Sequence, residues 1–411
     1  MKVLWLNSGL LLPLDKGGKL RTWHLMRHLA KRHSITYVCF VEPDDRKEHR
    51  EGMVEVCNSL VTVPRSESRK GTWAFYLDAA RHVMKPLPYA IGKYASDEYA
   101  AKVHYLLQHG GFDMLVADFL PPVVNLPGSL PVAAVLFTHN VEAEIWRRHA
   151  DNASNAVSRL LLKQQWQRML RFERDALTRF DLVLAVSDTD RRTLERLYPG
   201  ALRNPVHVVQ TGVDTSYFTP MPRQERRAHL VFTGSMDWLP NEDGMTYFVR
   251  DILPLIRQAE PDVTLSIVGR NPTPAVQRLA QTPGIEVTGR VDDVRPHVAA
   301  GDIYVVPLRI GGGTRLKIFE AMSMSRAVVS TTIGAEGLPV TSGRDIVIAD
   351  EPALFAESVV RLIRDADTRH RIESAARQLV VGRYDWAAVS RDFEEALAVA
   401  RGESRVNRRS A

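Results

Sequence analysis

The sequence lacks the features that define several protein classes. Of its 411 residues only Cys39 and Cys57 are cysteines, which excludes a disulfide framework and a four-cysteine zinc site and favours a reducing, cytoplasmic setting. No apolar run reaches the roughly 18 residues that a membrane-spanning helix needs. Asn7 and Ser8 interrupt the apolar stretch 3–14, and no small-residue cleavage pattern follows it. We therefore expect a buried first strand there, not a signal peptide.

Several catalytic motifs are also missing. The chain has no G-x-S-x-G element and no Walker-type G-x-x-x-x-G-K-[ST] loop, and no pair of carboxylates has a spacing that indicates acid/base hydrolysis. No His/Asp cluster has the spacing of metal ligands, so we expect no metal and no other cofactor.

Composition and charge indicate a globular protein with an anionic partner. Hydrophobic residues make up 45% and charged residues 25% of the chain, and its length predicts two or three domains. Residues 1–213 carry 29 Lys and Arg against 22 Asp and Glu, whereas the remainder has one acid in excess. This basic surplus in the first half favours an anionic ligand or surface, and without a binding motif we do not expect nucleic acid.

Short apolar runs alternate with helical patterns, which predicts two doubly wound α/β domains with parallel sheets that face each other across a ligand cleft. We expect domains at 1–213 and 229–383, a linker at 214–228, a final helix at 384–401 and a flexible tail at 402–411. The first helix is predicted at 18–31, and a long Arg-rich helical segment at 142–180 whose Leu160, Leu161, Trp166, Met169, Leu170 and Phe172 should pack inward. Predicted strands are 3–7, 34–41, 113–117, 132–138, 182–186, 229–233, 263–268, 285–288, 303–307, 327–330 and 345–348.

The most informative stretch is 311–322, which follows a buried strand and reads Gly-Gly-Gly-Thr-Arg-Leu-Lys-Ile-Phe-Glu-Ala-Met. Three glycines let backbone N–H groups approach a ligand, Thr314 is a good N-cap, and a helix N-terminus favours phosphate. Arg315 and Lys317 would oppose the helix dipole, so their placement makes sense beside a bound dianion. Glu320 would follow, where a carboxylate can accept hydrogen bonds from hydroxyls. The alternative is a glycine-rich turn before a solvated charged helix.

Two further features lie at predicted carboxyl ends of strands, where doubly wound folds bind ligands. Gly17 and Gly18 follow the first strand, although they lack the full G-x-G-x-x-G spacing and could form only a tight turn. His139 directly follows the strand predicted at 132–138. It is the histidine we select as functional, the alternative being a capping or core residue.

The sequence resembles the family 4 retaining glycosyltransferases of the GT-B fold over nearly its whole length. The strongest likeness runs from 311 to 338 and includes Gly-Gly-Gly-Thr-Arg-Leu-Lys, Glu-Ala-Met and, at 334–338, Gly-Ala-Glu-Gly-Leu. Supporting pieces are Val-Ser-Asp at 186–188, Thr-Gly-Val-Asp at 211–214, Phe-Thr-Gly-Ser-Met at 232–236 and Tyr-Asp-Trp at 384–386.

The resemblance implies site residues for a nucleotide-diphosphate sugar. Glu320 would hold the donor ribose, His139 would lie near the transferred sugar, and Arg315 and Lys317 would face the diphosphate. The implied donor-binding glycines and threonine are Gly17, Gly18, Gly234, Gly311, Gly312, Gly313 and Thr314.

The sequence departs from the family pattern at two places. Gly312 occupies the position of the first acid of the family's E-x7-E motif, of which Glu320 is the second. The Arg and Lys that many members carry after the first strand of the second domain are also absent, since residues 234–241 contain no basic side chain. Arg315 and Lys317 are the candidates to replace them.

The resemblance further implies transfer with retention and without metal, the leaving diphosphate helping to deprotonate the incoming hydroxyl. The expected product belongs to cell-surface polysaccharide or glycolipid synthesis. Basic and aromatic residues alternate at 65–96, which favours a lipid-linked acceptor and peripheral contact with an anionic membrane, or else a helix pair packed on the first domain. The competing functions are a nucleotide-sugar 2-epimerase-like isomerase and a non-catalytic nucleotide-sugar-binding partner.

Overall fold

The computed structural model describes residues 1–65, 86–153, 155–222, 228–310 and 316–402. These residues form two compact units, Met1–Gln210 with the segment from Val389 onward, and Thr211–Ala388. Each unit has one parallel sheet with its own hydrophobic core.

Seven parallel strands form the sheet of the amino-terminal unit, in the order β3-β2-β1-β4-β5-β6-β7. They are β1 (Lys2–Leu6), β2 (Ser34–Val41), β3 (Ser59–Pro64), β4 (Met114–Asp118), β5 (Ala133–Phe137), β6 (Leu182–Ala185) and β7 (His207–Val208). Five of them confirm predicted strands to within one residue at each end, because each is a short apolar run buried on both faces. No predicted strand corresponds to β3 or β7. Only one side chain of β3 is fully buried and β7 has just two residues, so neither gives a continuous buried run.

The α-helices in the described part of residues 1–210 are α1 (Gly17–Leu29), α2 (Lys47–Gly52), α3 (Tyr89–Gly92), α4 (Asp97–His109), α5 (Glu142–Asp151), α6 (Ala156–Leu177) and α7 (Asp188–Leu197), with short 3₁₀ helices at Met53–Glu55 and Pro121–Asn125. The segment 142–180 is thus two helices that pack against each other, not one. Met169 is buried, and Trp166, Leu170 and Phe172 pack on the core as predicted.

Leu160 and Leu161 contradict that prediction. Their exposed fractions are 70% and 44%, since both lie in the first two turns of α6, whose buried residues begin only at Gln165.

The sheet of the carboxy-terminal unit is also parallel, in the order β10-β9-β8-β11-β12-β13. Its strands are β8 (His229–Thr233), β9 (Thr264–Val268), β10 (Ile285–Gly289), β11 (Ile303–Val306), β12 (Ala327–Ser330) and β13 (Val347–Ile348). All six coincide with predicted strands, although β13 is only half as long as expected. Its helices are α8 (Leu239–Tyr247), continued by a π-helical turn (Phe248–Ile252), then α9 (Leu253–Ala259), α10 (Pro274–Leu279), α11 (Arg295–Ala300), α12 (Leu316–Ser323), α13 (Pro352–Arg364) and α14 (Ala366–Arg383).

The last helix, α15 (Trp386–Ala400), belongs mostly to the amino-terminal unit. Phe393 is fully buried there, stacked on Trp5 at 5.6 Å between ring centres and edge-on to Phe137 at 5.3 Å. Glu394 adds a carboxylate 2.6 Å from His33 Nε2. A segment distant in sequence therefore completes the core beside β1.

Both sheets reverse their strand order once, between β1 and β4 in one unit and between β8 and β11 in the other. Ligands of doubly wound folds bind beyond the carboxyl ends of the strands at such points. The fold therefore places a candidate binding edge in each unit, and the residues at these two edges are the ones that carry the chemistry.

Candidate functional site

In the amino-terminal unit, hydrogen bonds converge on the carboxylate of Asp118, the last residue of β4. Its Oδ2 accepts from Trp5 Nε1 at 3.1 Å, Asn7 Nδ2 at 2.7 Å and Thr22 Oγ1 at 2.7 Å, and its Oδ1 lies 2.6 Å from His139 Nε2. The Asp118 side chain is completely buried. Four partners replace the water that a buried carboxylate loses, so β1, α1 and the end of β5 are tied together at one point.

The partners of His139 define its protonation. Arg21 Nη1 lies 3.2 Å from His139 Nδ1, and because a guanidinium can only donate, Nδ1 accepts. The proton is therefore on Nε2, which donates to Asp118. Burial lowers the pKa of His139 against the opposing pull of the Asp118 carboxylate, and Arg21 adds to the lowering, so the imidazole is neutral. The ring is also sandwiched, stacked on Phe119 at 3.7 Å and tilted against Phe137 at 4.5 Å.

The two glycines before α1 have different surroundings. A Cβ on Gly18 would lie 2.5 Å from Cζ of Phe119, the ring that stacks on His139, whereas a Cβ on Gly17 would meet no atom within 4 Å. Phe119 itself has a φ of 70°, a left-handed conformation that bulky residues rarely adopt. The structure thus connects Gly18 to His139 through Phe119, and the strained backbone lies at the binding edge.

In the carboxy-terminal unit, Lys317 reaches the loop that follows β8. A Cβ on Gly234 would lie 2.6 Å from Asn241 Nδ2 and 2.9 Å from Lys317 Nζ, and Lys317 Nζ donates to Asn241 Oδ1 at 2.9 Å. The ammonium also lies 4.0 Å from the centre of the Phe232 ring. Positive charge therefore reaches the segment 234–241 from α12, although that segment has no basic residue of its own.

Glu320 lies one turn further along α12, half-buried below the same binding edge. Burial raises the pKa of its carboxyl to about 7, although the nearby Lys317 ammonium works in the opposite direction. The neighbouring Tyr304 hydroxyl is already engaged, 2.6 Å from Thr233 Oγ1. Glu320 is thus a carboxyl that titrates near neutral pH next to a cation, and its ionised form can accept hydrogen bonds from two hydroxyls.

Part of the predicted site lies outside the described residues. This holds for Gly311, Gly312, Gly313, Thr314 and Arg315, and for residues 66–85 of the basic and aromatic segment. Their roles remain predictions.

Among the described residues, the structure brings Gly234, Lys317 and Glu320 together in one unit and Gly18 and His139 in the other. Sequence reasoning missed the partners that hold these residues, namely Asp118, Arg21 and Asn241. Asp118 could have been predicted, because it lies at the carboxyl end of a buried strand, as His139 does. The residues that the structure describes contain no group of three His, Cys, Asp or Glu side chains placed to hold a metal ion. None of the helices in the described ranges is long and apolar enough to cross a membrane.

Comparison with known proteins identifies the family to which the chain belongs. The family model "Glycosyltransferase Family 4" matches residues 16–217, and the model "Glycosyl transferases group 1" matches residues 227–365. The chain belongs to the group 1, family 4 glycosyltransferases, and its two parallel-sheet domains are those of the GT-B fold.

Curated relatives match only part of the chain. A protein of the cps region of Klebsiella pneumoniae is 26% identical over 165 residues, which are 38% of this chain and 42% of that protein. The alpha-maltose-1-phosphate synthase of Mycolicibacterium smegmatis is 26% identical over 251 residues, 53% of this chain and 63% of that enzyme. The match thus spans about half the length of these relatives.

Solved structures match nearly the whole chain. The Anabaena protein HepE in complex with UDP has a TM-score of 0.65 and 15% identity, and the alignment covers 97% of this chain and 100% of that one. The same protein with UDP-glucose gives a TM-score of 0.62. At this identity the likeness establishes the fold.

Proposed function

We propose that the protein is a retaining glycosyltransferase that moves a hexose-type sugar from a nucleotide-diphosphate sugar to a glycan or lipid-linked acceptor. The observation that carries the proposal is the hydrogen bond from Lys317 to Asn241 beside Gly234, because it holds a cation next to the end of β8, at the switch point of the second sheet. Complexes of the structurally similar HepE with UDP and UDP-glucose support a donor of this kind.

In the proposed reaction, Lys317 stabilises the diphosphate as it leaves. The bond from the anomeric carbon to the diphosphate oxygen breaks, a bond from that carbon to the acceptor oxygen forms on the same face, and the acceptor proton passes to the diphosphate. Charge develops on the leaving group, so a preorganised ammonium lowers the barrier more than it strengthens ground-state binding. We assign the same task to Arg315, ribose binding to Glu320, and contact with the transferred sugar to the neutral His139.

The proposed product belongs to cell-surface polysaccharide or glycolipid synthesis. Support comes from the similar Klebsiella protein, which is described as lying in the cps region. A lipid-linked acceptor also accounts for the basic surplus of the first half of the chain, because anionic headgroups attract cations.

The donor is tested by thermal shift with UDP, GDP, ADP, CMP, dTDP and their sugars. A ligand at about 100 times its dissociation constant stabilises the folded state by about 2.7 kcal/mol. We expect one nucleotide diphosphate to raise the melting temperature and Lys317→Met to remove the shift. The matched control is Arg364→Met, which removes an exposed cation of the same unit that pairs with Glu260. A shift of equal size in both variants would contradict the proposed role of Lys317, and no shift with any nucleotide would contradict the donor class. Formation of an epimer of the donor sugar without acceptor would favour an isomerase, whereas release of the unchanged sugar would be transfer to water.

A further inference from the structure

The first two turns of α6 expose a row of apolar side chains. Val157 and Leu160 are each 70% exposed and Leu161 is 44% exposed. Positions 157, 160 and 161 share one face because they are separated by three and four residues on a helix. Single exposed apolar residues are common, but a contiguous row of three on one helix face marks an interaction surface.

The row lies beyond the end of the helix's buried face. The buried residues of α6 begin at Gln165 and continue through Met169 to Leu177; Leu161 precedes Gln165 by one helical turn on the same side, whereas Leu160 lies further round the helix. All three side chains of the row are exposed, so the core of the unit does not cover them.

Positive charge surrounds the row. Between residues 144 and 163 the chain carries four cations, Arg147, Arg148, Arg159 and Lys163, and two acids, Glu144 and Asp151. Glu144 pairs with both Arg147 and Arg148, and Asp151 pairs with Arg147, so the two acids offset these two cations. Arg159 and Lys163, both exposed, make up the excess. The end of the α5–α6 pair thus combines an apolar row with an excess of exposed cations.

We propose that this end of α5 and α6 docks on an anionic lipid surface. Val157, Leu160 and Leu161 would enter the boundary between headgroups and acyl chains, while Arg159 and Lys163 contact lipid phosphates. Apolar residues beside Lys and Arg on one helix are the composition that binds such interfaces. A second copy of the chain fits less well, because pairing through this face would bring equal positive charges together. The inference rests on the proposed function in that a lipid-linked acceptor would be met at this surface.

The test is sedimentation of the full chain with vesicles of phosphatidylglycerol and phosphatidylcholine in equal parts, compared with pure phosphatidylcholine. We expect binding to the anionic vesicles that weakens with salt. The double variant Val157→Ser, Leu160→Ser should bind at least about tenfold more weakly. Replacing Arg159 and Lys163 by glutamine should weaken binding about 25-fold, since each cation near the surface contributes about fivefold. The matched control Leu354→Ser, which changes a 54% exposed leucine of the other unit, should bind like the parent protein.

Absence of anionic vesicle binding by the parent protein, or equal binding by the Val157/Leu160 variant and its control, would overturn the proposal. A concentration-dependent dimer in light scattering that the Val157/Leu160 variant abolishes would assign the row to a second copy and also overturn it. The nucleotide thermal shift is measured on the same variants. If the Val157/Leu160 variant no longer sediments with vesicles but still shows the nucleotide thermal shift, lipid docking is supported independently of donor binding. If the parent protein sediments with vesicles but no nucleotide shifts its melting temperature, the result counts against the proposed donor site alone.

Discussion

His139 and Asp118 share a hydrogen bond of 2.6 Å between two side chains that are both buried. The carboxylate fixes the Nε2 proton of the imidazole, and Arg21 occupies its other nitrogen. Since both ring nitrogens are engaged and the ring is buried against Phe119 and Phe137, the imidazole is held fixed and neutral at the end of β5. This arrangement suits a positioning role better than transfer of a proton, which would require one of the two bonds to break.

Asp118→Asn should destabilise the protein by about 1–3 kcal/mol, because an amide leaves part of the four-donor cluster unpaired in a buried place. Urea unfolding measures the effect. The control Asp188→Asn removes an exposed carboxylate that pairs with Arg191 and should change stability by less than about 1 kcal/mol. Similar values for the two variants would show that the cluster contributes little.

Gly18→Ala and Gly17→Ala should act in opposite directions. The added methyl group at Gly18 must displace Phe119 from His139, whereas the one at Gly17 meets open space in the first turn of a helix. We expect Gly18→Ala to lower the melting temperature. Gly17→Ala should leave the free energy of unfolding unchanged or raise it by up to about 1 kcal/mol, so its melting temperature should be equal or higher. Rescue of Gly18→Ala by Phe119→Leu would confirm the steric cause, and equal melting temperatures of the two single variants would contradict it.

Gly234→Ala should weaken nucleotide binding at least about tenfold, because its methyl group would move both Asn241 and Lys317. Calorimetric titration with the nucleotide diphosphate that the thermal-shift panel selects measures this loss. Gly382→Ala is the matched control, since its Cβ meets nothing within 4 Å and the residue lies in α14. An unchanged nucleotide affinity of the Gly234→Ala variant would show that Lys317 does not belong to the nucleotide-binding site.

Glu320→Gln should become more stabilising as pH rises. The folded protein keeps the carboxyl protonated up to about pH 7, well above the ordinary pKa of 4.5. Glutamate and glutamine are therefore nearly equivalent below about pH 4.5. Between pH 4.5 and about 7 the carboxyl ionises in the unfolded chain but stays protonated in the folded protein, so the parent loses stability over this range and remains less stable above it. Urea unfolding at about pH 5 and about pH 8.5 should show a gain for the variant that is larger by about 1–3 kcal/mol at the higher pH. Glu336→Gln, which changes an exposed glutamate of the same unit, is the matched control. A pH-independent difference for Glu320→Gln, or an equal trend in both variants, would refute the raised pKa.

Turnover should not depend on a divalent metal, since the proposed leaving-group stabilisation comes from Lys317 and Arg315. Addition of a chelator to the transferase assay should leave the rate unchanged. Loss of the rate, with recovery on adding back magnesium or manganese ions, would refute this part of the mechanism.

Local sequence patterns were sufficient for most of the sheet framework. Buried strands such as β2, β8 and β12 can be recognised in the amino-acid sequence as continuous apolar runs, because both faces of a central parallel strand are apolar. The edge strands β3 and β7 gave no such signal. The prediction that Leu160 and Leu161 pack inward is wrong, because a leucine pattern does not reveal which part of a helix meets the sheet.

The site divides in the same way. The location of His139 followed from its place after a strand, a property of the local chain. The distances from Lys317 to the loop after β8, and the hydrogen bonds that converge on Asp118, depend on how separate strands and helices pack. The sequence indicates at most that Lys317 and Asp118 belong to the binding edges and does not specify their partners.

The contact of Phe393 with Trp5 sets an order of assembly. The ribosome makes Trp5 before Phe393, with the entire carboxy-terminal unit between them. The nascent amino-terminal unit must therefore remain incomplete, with the surface beside β1 uncovered, until Phe393 has been made. A fragment that stops at Gln210 would keep that surface uncovered, and it should bind chaperones or aggregate where the 411-residue chain does not.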